Sequence, residues 1–355
     1  MAVHGRTPII RPRAGTRDRA PSVRGHHHRT QGLVLISAAL VCAAVLSLTT
    51  GSNQLPLDQL WDGLRARDDT EASIIIWSLR LPRTVVGVLV GAAFGVAGAL
   101  IQALTRNPLA DPGILGVNAG AAFAVTLGAG IVGVSGIGGY VWFAFLGAAV
   151  TTVLVYVIGS AGGGRASPVA LVLAGVALGA VLGGFATFLT LIDPDTFESV
   201  RNWSLGSIAR ADPADTLTVA PFIIAGLVIA LALTGTLNAL ALGEDFAASL
   251  GTRVHLTRVL GILAVTLLAG GATALTGGIG FVGLMVPHIV RWFTGPDQRW
   301  IILYSALAAP VLVLAADVVG RVIARPGEIE VGLVTAVIGA PVLIALLRRR
   351  KASGL

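Results

Sequence analysis

Histidine side chains are the residues of this chain whose chemistry would be most diagnostic, and they are few. His26, His27 and His28 are consecutive and could bind a metal ion, whereas His288 follows Pro287 in an apolar stretch. No second metal ligand lies near His288 in sequence, so a structural role at a helix break is favoured there. The three consecutive histidines lie among arginines, which favours a solvated basic tail. We therefore predict no catalytic residue, no metal site and no cofactor.

Lys351 is the only lysine of the protein, which limits how the chain could use energy. A nucleotide-binding P-loop needs a lysine after a glycine-rich turn, and this sequence has none. Any ATP hydrolysis must therefore occur on another polypeptide. No Asp or Glu lies inside the apolar segments given below, whereas ion-coupled carriers usually hold acidic groups near the membrane midplane. A secondary carrier is the weaker alternative, and a membrane enzyme or scaffold that moves no solute is another.

The elements that must position any functional residue are apolar segments of bilayer length. Of the 355 residues 55% are hydrophobic, 12% are charged and 46 are glycine, whereas soluble domains carry about 25% charged residues. A membrane-spanning helix needs roughly 20 mostly apolar residues. Ten segments qualify, which predicts an all-α polytopic protein of about ten transmembrane helices. They are Leu33–Thr50, Thr84–Leu104, Ile114–Val134, Val141–Ser160, Val169–Ile192, Leu217–Leu237, Thr257–Leu275, Ile279–Phe293, Trp300–Ala315 and Val331–Leu347.

Charge predicts how these segments are oriented. If both termini are inside, 17 Lys and Arg residues lie inside and 8 outside, which together make up the 25 of the chain. Because Lys and Arg concentrate on the cytoplasmic side, both termini are predicted to be cytoplasmic. Residues 1–30 lack apolar periodicity and are predicted to be a disordered basic leader, followed by a transmembrane domain over residues 31–351. The net charge of +7 lies in tails and loops, which favours contact with membrane lipid and not with nucleic acid.

Four stretches of sequence carry a resemblance to a known family. They are residues 79–84 (LRLPRT), residues 102–116 (QALTRNPLADPGILG), residues 277–291 (GGIGFVGLMVPHIVR), and a fourth stretch with Asp317, Arg321, residues 326–328 (PGE) and residues 331–341 (VGLVTAVIGAP). In this order they resemble the FecCD-type permeases, which import ferric siderophores, haem and vitamin B12. Residues 105–112 and 276–284 look closest to ferric-enterobactin-type permeases. The family usually has a proline where this chain has Glu330.

The resemblance, which covers nearly everything after the leader, implies an architecture and partners. It implies a type II ABC importer permease of the inner, cytoplasmic membrane, built from inverted repeats and without catalytic chemistry of its own. Two permeases, the second a copy or a paralogue, form a dimer around a central path. Two ATPase subunits bind on the cytoplasmic side, and an extracytoplasmic substrate-binding protein docks outside. An iron(III)–siderophore chelate is the expected substrate, with haem or vitamin B12 as alternatives.

The loop over residues 238–256 is the expected contact with the ATPase. Its central part, residues 241–253, reads ALGEDFAASLGTR, with apolar residues at four-residue spacing between two glycines. This spacing predicts a short amphipathic helix with one apolar stripe, which could enter a partner's groove or fold onto the protein's own surface. The family's coupling helix lies at this place and favours the partner contact. The predicted coupling residues are Leu242, Gly243, Phe246, Ala247, Leu250 and Gly251.

Three arginines at helix ends on the opposite side are predicted to receive the substrate-binding protein. Arg80, Arg83 and Arg321 would meet acidic residues of that protein, because the planar guanidinium pairs bidentately with carboxylate. The alternatives are contact with a lipid phosphate or with helix carbonyls. For Arg321 a further alternative is an ion pair with Asp317, four residues earlier on a helix.

The translocation path is predicted along the fifth span. In the family this helix and the loop before it line the path and its cytoplasmic gate, which here places Ser167, Pro168 and Val169 at the gate. Glycines recur at four-residue spacing from Gly175 to Gly183 and put small residues on one face of the helix. Close packing against another helix explains that face equally well.

Overall fold

The computed structural model describes residues 24–52, 55–161, 168–210 and 212–349, and the regular secondary structure in these ranges is helical. Short turns of other helical types interrupt the regular pattern. A 3₁₀ turn covers Pro112–Leu115, and π-helical turns cover Ile75–Arg80 and Thr266–Gly270. The helices are α1 (Arg24–Thr49), α2 (Leu57–Arg65), α3 (Glu71–Thr105), α4 (Val117–Gly130), α5 (Gly136–Ser160), α6 (Pro168–Ile192), α7 (Pro194–Ser204), α8 (Pro213–Ala232), α9 (Thr234–Ala241), α10 (Glu244–Ser249), α11 (Val254–Thr276), α12 (Val282–Thr294), α13 (Gln298–Ile323) and α14 (Val331–Arg349).

Helix length and composition support the prediction of a membrane protein. Seven helices, α1, α3, α5, α6, α8, α11 and α13, contain segments that are long and apolar enough to cross a bilayer. Shorter apolar helices cover 117–130 in α4 and 331–345 in α14, and α12 has 13 residues. The predicted all-helical class is therefore confirmed.

Several helix ends differ from the predicted ones. Helix α1 begins at Arg24, inside the segment predicted to be disordered, because no proline interrupts its extension back from the apolar segment; residues 1–23 lie outside the described residues. Helix α3 begins at Glu71 and not at Thr84, since the Thr70 side chain caps it by accepting from the Ser73 N–H at 3.3 Å. The predicted sixth span is broken at Leu233, between α8 and α9.

Helix α3 is the centre of the bundle. In its most apolar window 78% of the residues are buried, compared with 11% in α1. Glycines let two neighbours approach its backbone: a Cβ on Gly91 would lie 2.5 Å from Pro310 Cα in α13, and a Cβ on Gly98 would lie 1.8 Å from the Gly283 carbonyl oxygen in α12. Such small residues allow helices to pack closely in lipid. Close packing matters there because lipid tails are as apolar as the side chains, so the hydrophobic effect does not drive the helices together.

Backbone outside the helices is held by backbone from other segments. The Ser207 N–H donates to the Thr276 carbonyl at 2.7 Å, and the Gly332 N–H donates to the Gly206 carbonyl at 2.9 Å. These bonds join the chain after α7, the end of α11 and the start of α14. Irregular backbone at membrane depth is tolerated where neighbouring protein satisfies its polar groups, and these bonds do so after α7 and at the end of α11.

Candidate functional sites at the two ends of the bundle

The predicted site residues lie near opposite ends of α13. This helix starts at Gln298, whose N–H donates to Asn238 Oδ1 at 2.8 Å, and Asn238 belongs to α9, just before α10. Arg321 lies near the other end of α13, after most of its 26 residues, which corresponds to about 35 Å along the axis. We call the first region the Phe246 end and the second the Arg83 end.

Asp317 is the buried centre of the Arg83 end. Its side chain is 1% exposed, and two arginines share it. Arg83 Nη2 lies 2.6 Å from Oδ1 and Arg321 Nη2 lies 2.7 Å from Oδ2. Helix α13 continues beyond Ala315, the predicted end of the ninth span, so Asp317 lies within a helix and not in a loop. Because two guanidinium groups hold its carboxylate, Asp317 has the setting of a structural ion pair.

Arg80 and Arg321 also bind the last carbonyls of α1. The final turn of a helix leaves carbonyl groups without intrahelical partners and carries partial negative charge. Arg80 Nη1 donates to the carbonyls of Leu48 and Thr49 at 2.8 and 3.0 Å, and Arg321 Nη1 donates to that of Thr50 at 2.7 Å. Arg80 is 4% exposed and Arg321 2%. Both arginines therefore cap the C-terminal end of α1. This is the contact with helix carbonyls that the sequence left open as the alternative to docking.

Arg83 is the most accessible of the three predicted docking arginines, with a side chain that is 12% exposed. Its Nη1 donates to Glu328 at 2.7 Å, and Ser52 Oγ donates to the same carboxylate at 3.0 Å. Burial alone would raise the pKa of Glu328, but the hydrogen bonds and charge of Arg83 outweigh it and lower the pKa. Glu330, where the family usually has proline, receives a hydrogen bond from exposed Arg210 at 2.9 Å. The ion pair between Arg210 and Glu330 thus restrains the loop before α14 at the position where a proline would restrict its backbone.

The predicted apolar stripe at the Phe246 end lies on the surface of the protein. Leu242 is 67% exposed, Phe246 51% and Leu250 61%. Helix α10 between them is short because Gly243 and Gly251 have φ of 114° and 80°, a conformation that favours glycine. The stripe therefore does not fold onto the described part of the chain.

Two contacts anchor α10 from its inner side. Ala247 is 0% exposed. Glu244 accepts a hydrogen bond from Arg258 of α11 and lies 3.7 Å from Arg106, which ends α3 with φ of 50°. Sequence reasoning missed this ion pair, because Glu244 and Arg258 lie fourteen positions apart on different helices. The stripe is thus presented outward from a base fixed to α3 and α11.

The predicted gate is only partly within the described residues. Ser167 lies outside them, Pro168 begins α6, and Val169 is 67% exposed. On the glycine face of α6, a Cβ on Gly179 would meet Ala119 Cβ at 3.7 Å, and one on Gly183 would meet no described atom within 4 Å. Packing within this part of the chain therefore does not account for the small residues along the second half of that face.

His288 has the setting of a packed side chain. It is 9% exposed, and its ring lies edge-on to that of Trp292 with 5.6 Å between centroids. Among the described residues, no group of three or more His, Cys, Asp or Glu side chains is arranged to hold a metal ion. His26, His27 and His28 are placed in α1, but their side chains lie outside what the structure describes.

The fold places the chain among polytopic helical membrane proteins. Residues 39–349 match the FecCD transport family, and the chain belongs to that family. It is 48% identical to the ferric enterobactin transport system permease protein FepD of Escherichia coli strain K12, over 91% of this chain and 96% of that protein. It is 32% identical to the hemin transport system permease protein HmuU of Yersinia pestis, over 91% and 98%.

A solved structure is similar along nearly its whole length. It is a metal-chelate type ABC transporter in an inward-facing conformation, with a TM-score of 0.79 and 29% sequence identity. The match covers 90% of this chain and 99% of that one. The relatives of this chain are thus permeases of ABC importers, and the fold agrees with theirs.

The ion network predicts a large stability difference between two substitutions at the Arg83 end. Asp317→Asn leaves buried Arg321 without its carboxylate and Arg83 with Glu328 alone, and should lower the free energy of unfolding by roughly 3 kcal/mol. Arg210→Gln breaks the exposed pair with Glu330 and should change it by less than about 1 kcal/mol. Thermal unfolding of both purified variants in detergent measures the difference. Equal shifts would show that Asp317 is not the stabilising centre.

Proposed function

We propose that this chain is the transmembrane permease subunit of a binding-protein-dependent ABC importer. It moves iron(III)–siderophore-type chelates across the cytoplasmic membrane with ATP hydrolysed by a separate subunit. The observation that carries the proposal is the 48% identity, over 91% of the chain, to a permease named for ferric enterobactin. A haem permease matches over the same share at 32%, so haem, and with it vitamin B12, is the second candidate.

The proposed topology has ten spans and both termini in the cytoplasm. The seven long apolar helices and the three shorter helices α4, α12 and α14 together make ten spans. Helix α12 has 13 residues, about 20 Å of the roughly 30 Å hydrocarbon core, and the irregular backbone before it completes the crossing. The excess of Lys and Arg in the loops on one side supports the orientation. It places the Phe246 end in the cytoplasm and the Arg83 end outside.

A second permease, either a copy or a paralogue, is proposed to pack along α6. Only 17% of the most apolar window of this helix is buried in the protein, and Gly183 has open space beside it. Inverted repeats and a central path between two permeases, with Ser167, Pro168 and Val169 at its cytoplasmic gate, complete the proposed assembly. What supports this is the unpacked small-residue face, which permits close approach of another helix.

The exposed stripe of α10 is proposed to enter a groove of the ATPase. Leu242, Phe246 and Leu250 present an apolar strip from a helix that Glu244 anchors, as a groove-binding helix does. Gly243 and Gly251 set its ends, and buried Ala247 seats it on the protein.

Substitution of the stripe should separate ATPase recruitment from membrane insertion. Phe246→Asp combined with Leu250→Asp puts two charges into the proposed contact and should reduce co-purification of the ATPase at least about tenfold, since each buried apolar side chain contributes about 1.5–3 kcal/mol. Both positions are exposed, so insertion should be normal. Phe246→Leu keeps the stripe apolar and serves as the control. Normal co-purification with the doubly charged variant would contradict the contact.

Docking of the substrate-binding protein is proposed at the Arg83 end. Arg83 is the accessible guanidinium, while Arg80 and Arg321 hold the end of α1 in place behind it. Arg83→Gln should therefore weaken binding of that protein in low salt, where attraction between charges is least screened. Arg299→Gln, at the cytoplasmic end, is the matched control. Surface plasmon resonance on nanodiscs measures both, and identical affinities would exclude docking through Arg83.

Reconstitution tests the function as a whole. Proteoliposomes that contain this chain, its cognate ATPase and the binding protein should accumulate iron-loaded siderophore only when ATP is present on the ATPase side. Haem and vitamin B12 are the comparison solutes. A secondary carrier would instead respond to a proton gradient and ignore ATP depletion. Uptake by the purified chain alone, or no uptake of any of the three solutes, would overturn the proposal.

A further inference from the structure

A cavity of about 350 Å³ lies at the Phe246 end, between the start of α11 and the junction of α8 with α9. Four of its lining residues are leucines, three are threonines and one is an arginine. The lining residues are Leu233, Thr236, Leu250, Gly251, Thr252, Arg253, Leu256, Thr257 and Leu260. The cavity thus combines one cationic side chain with several aliphatic ones, which is the chemistry that suits an amphipathic anion.

The cavity continues into surface that has the composition of a membrane-facing surface. On α11, Leu256 is 46% exposed and Leu263 45%, two turns apart. On α8, Val228 is 60% and Leu231 50% exposed. The two helices pack together, since a Cβ on Gly226 would lie 2.7 Å from Leu268 Cγ. Apolar side chains of two adjacent helices therefore lead from the side of the bundle to the cavity.

Arg253 is the charged group of this cavity. It is exposed and forms no ion pair with any described residue, whereas Arg106 and Arg258 at the same end both lie beside Glu244. Its position directly before α11 puts the guanidinium at the level where the apolar surface of that helix ends. A cation there is suited to a phosphate in the headgroup layer.

We propose that this cavity binds the headgroup of an anionic phospholipid of the inner leaflet. The phosphate lies against Arg253, and the first carbons of the acyl chains lie against Leu256 and Leu260. A water-soluble phosphate would make no use of the apolar wall or of its continuity with the side of the bundle. The lipid would lie beside Leu250, which directly follows α10, and so at the edge of the proposed ATPase contact. Only the choice of leaflet rests on the proposed topology.

Native mass spectrometry of the purified full-length chain tests the proposal without ATPase, binding protein or chelate, so its outcome is independent of the transport assay. Titration with phosphatidylglycerol should show one retained lipid, bound more tightly than phosphatidylcholine. Arg253→Gln should weaken phosphatidylglycerol binding about fivefold, the value of one cation near an anionic surface. Arg210→Gln removes the same charge from an exposed site at the opposite, Arg83 end of the bundle and should leave binding unchanged.

Leu256→Trp is a second variant that fills the cavity and keeps the guanidinium, and it should also weaken phosphatidylglycerol binding. Equal affinity for the two lipids, or equal loss in both glutamine variants, would overturn the proposal. Displacement of the lipid by inorganic phosphate would assign the site to a soluble anion instead. If Arg253→Gln abolishes ATPase co-purification while lipid binding is retained, Arg253 belongs to the protein contact and the lipid site is wrong.

Discussion

Hydrocarbon offers no hydrogen bonds, so each polar group inside the bundle must find its partner within the protein. That requirement explains contacts that otherwise look unrelated. The last carbonyls of α1 accept from Arg80 and Arg321, and the Gln102 side chain donates to the Leu284 carbonyl at 3.1 Å in the first turn of α12. The irregular backbone before α12 and α14 is joined by bonds between segments. Glycines on α3 allow these groups to come close enough to meet.

Sequence reasoning succeeds here wherever the signal is local. The stripe of Leu242, Phe246 and Leu250 follows from four-residue spacing, and flanking glycines predict the short length of its helix. Both features need no knowledge of distant residues. The approximate places of the seven long apolar helices follow from hydropathy for the same reason. Helix ends are less well predicted because caps, such as Thr70 before α3, extend a helix beyond its apolar part.

Tertiary partners explain most of what the sequence could not predict. Arg80 and Arg321 are far apart in the chain, and the sequence could not decide between docking and contact with helix carbonyls for either of them. Only the fold brings them to the carbonyls of α1, where they are almost fully buried. From the sequence, Glu330 in place of the usual proline predicts a less rigid loop, yet in the structure Glu330 forms an ion pair with Arg210. Asp317 lay beyond the predicted ninth span, and its burial follows from the continuation of α13.

The two ends of the bundle differ in how their charges are used. At the Arg83 end the cations and carboxylates are largely paired with one another, so an acidic partner must compete with Glu328 for Arg83 and does not meet a free charge. At the Phe246 end the ion pair of Glu244 with Arg258 faces inward, and the apolar stripe faces outward. Helix α3 carries Arg83 in its first half and ends at Arg106. Its middle is held by backbone contacts that tolerate no added Cβ. Because close-packed interiors transmit displacement with little compression, any displacement of α3 would be passed to α12 and α13, which these contacts join to it.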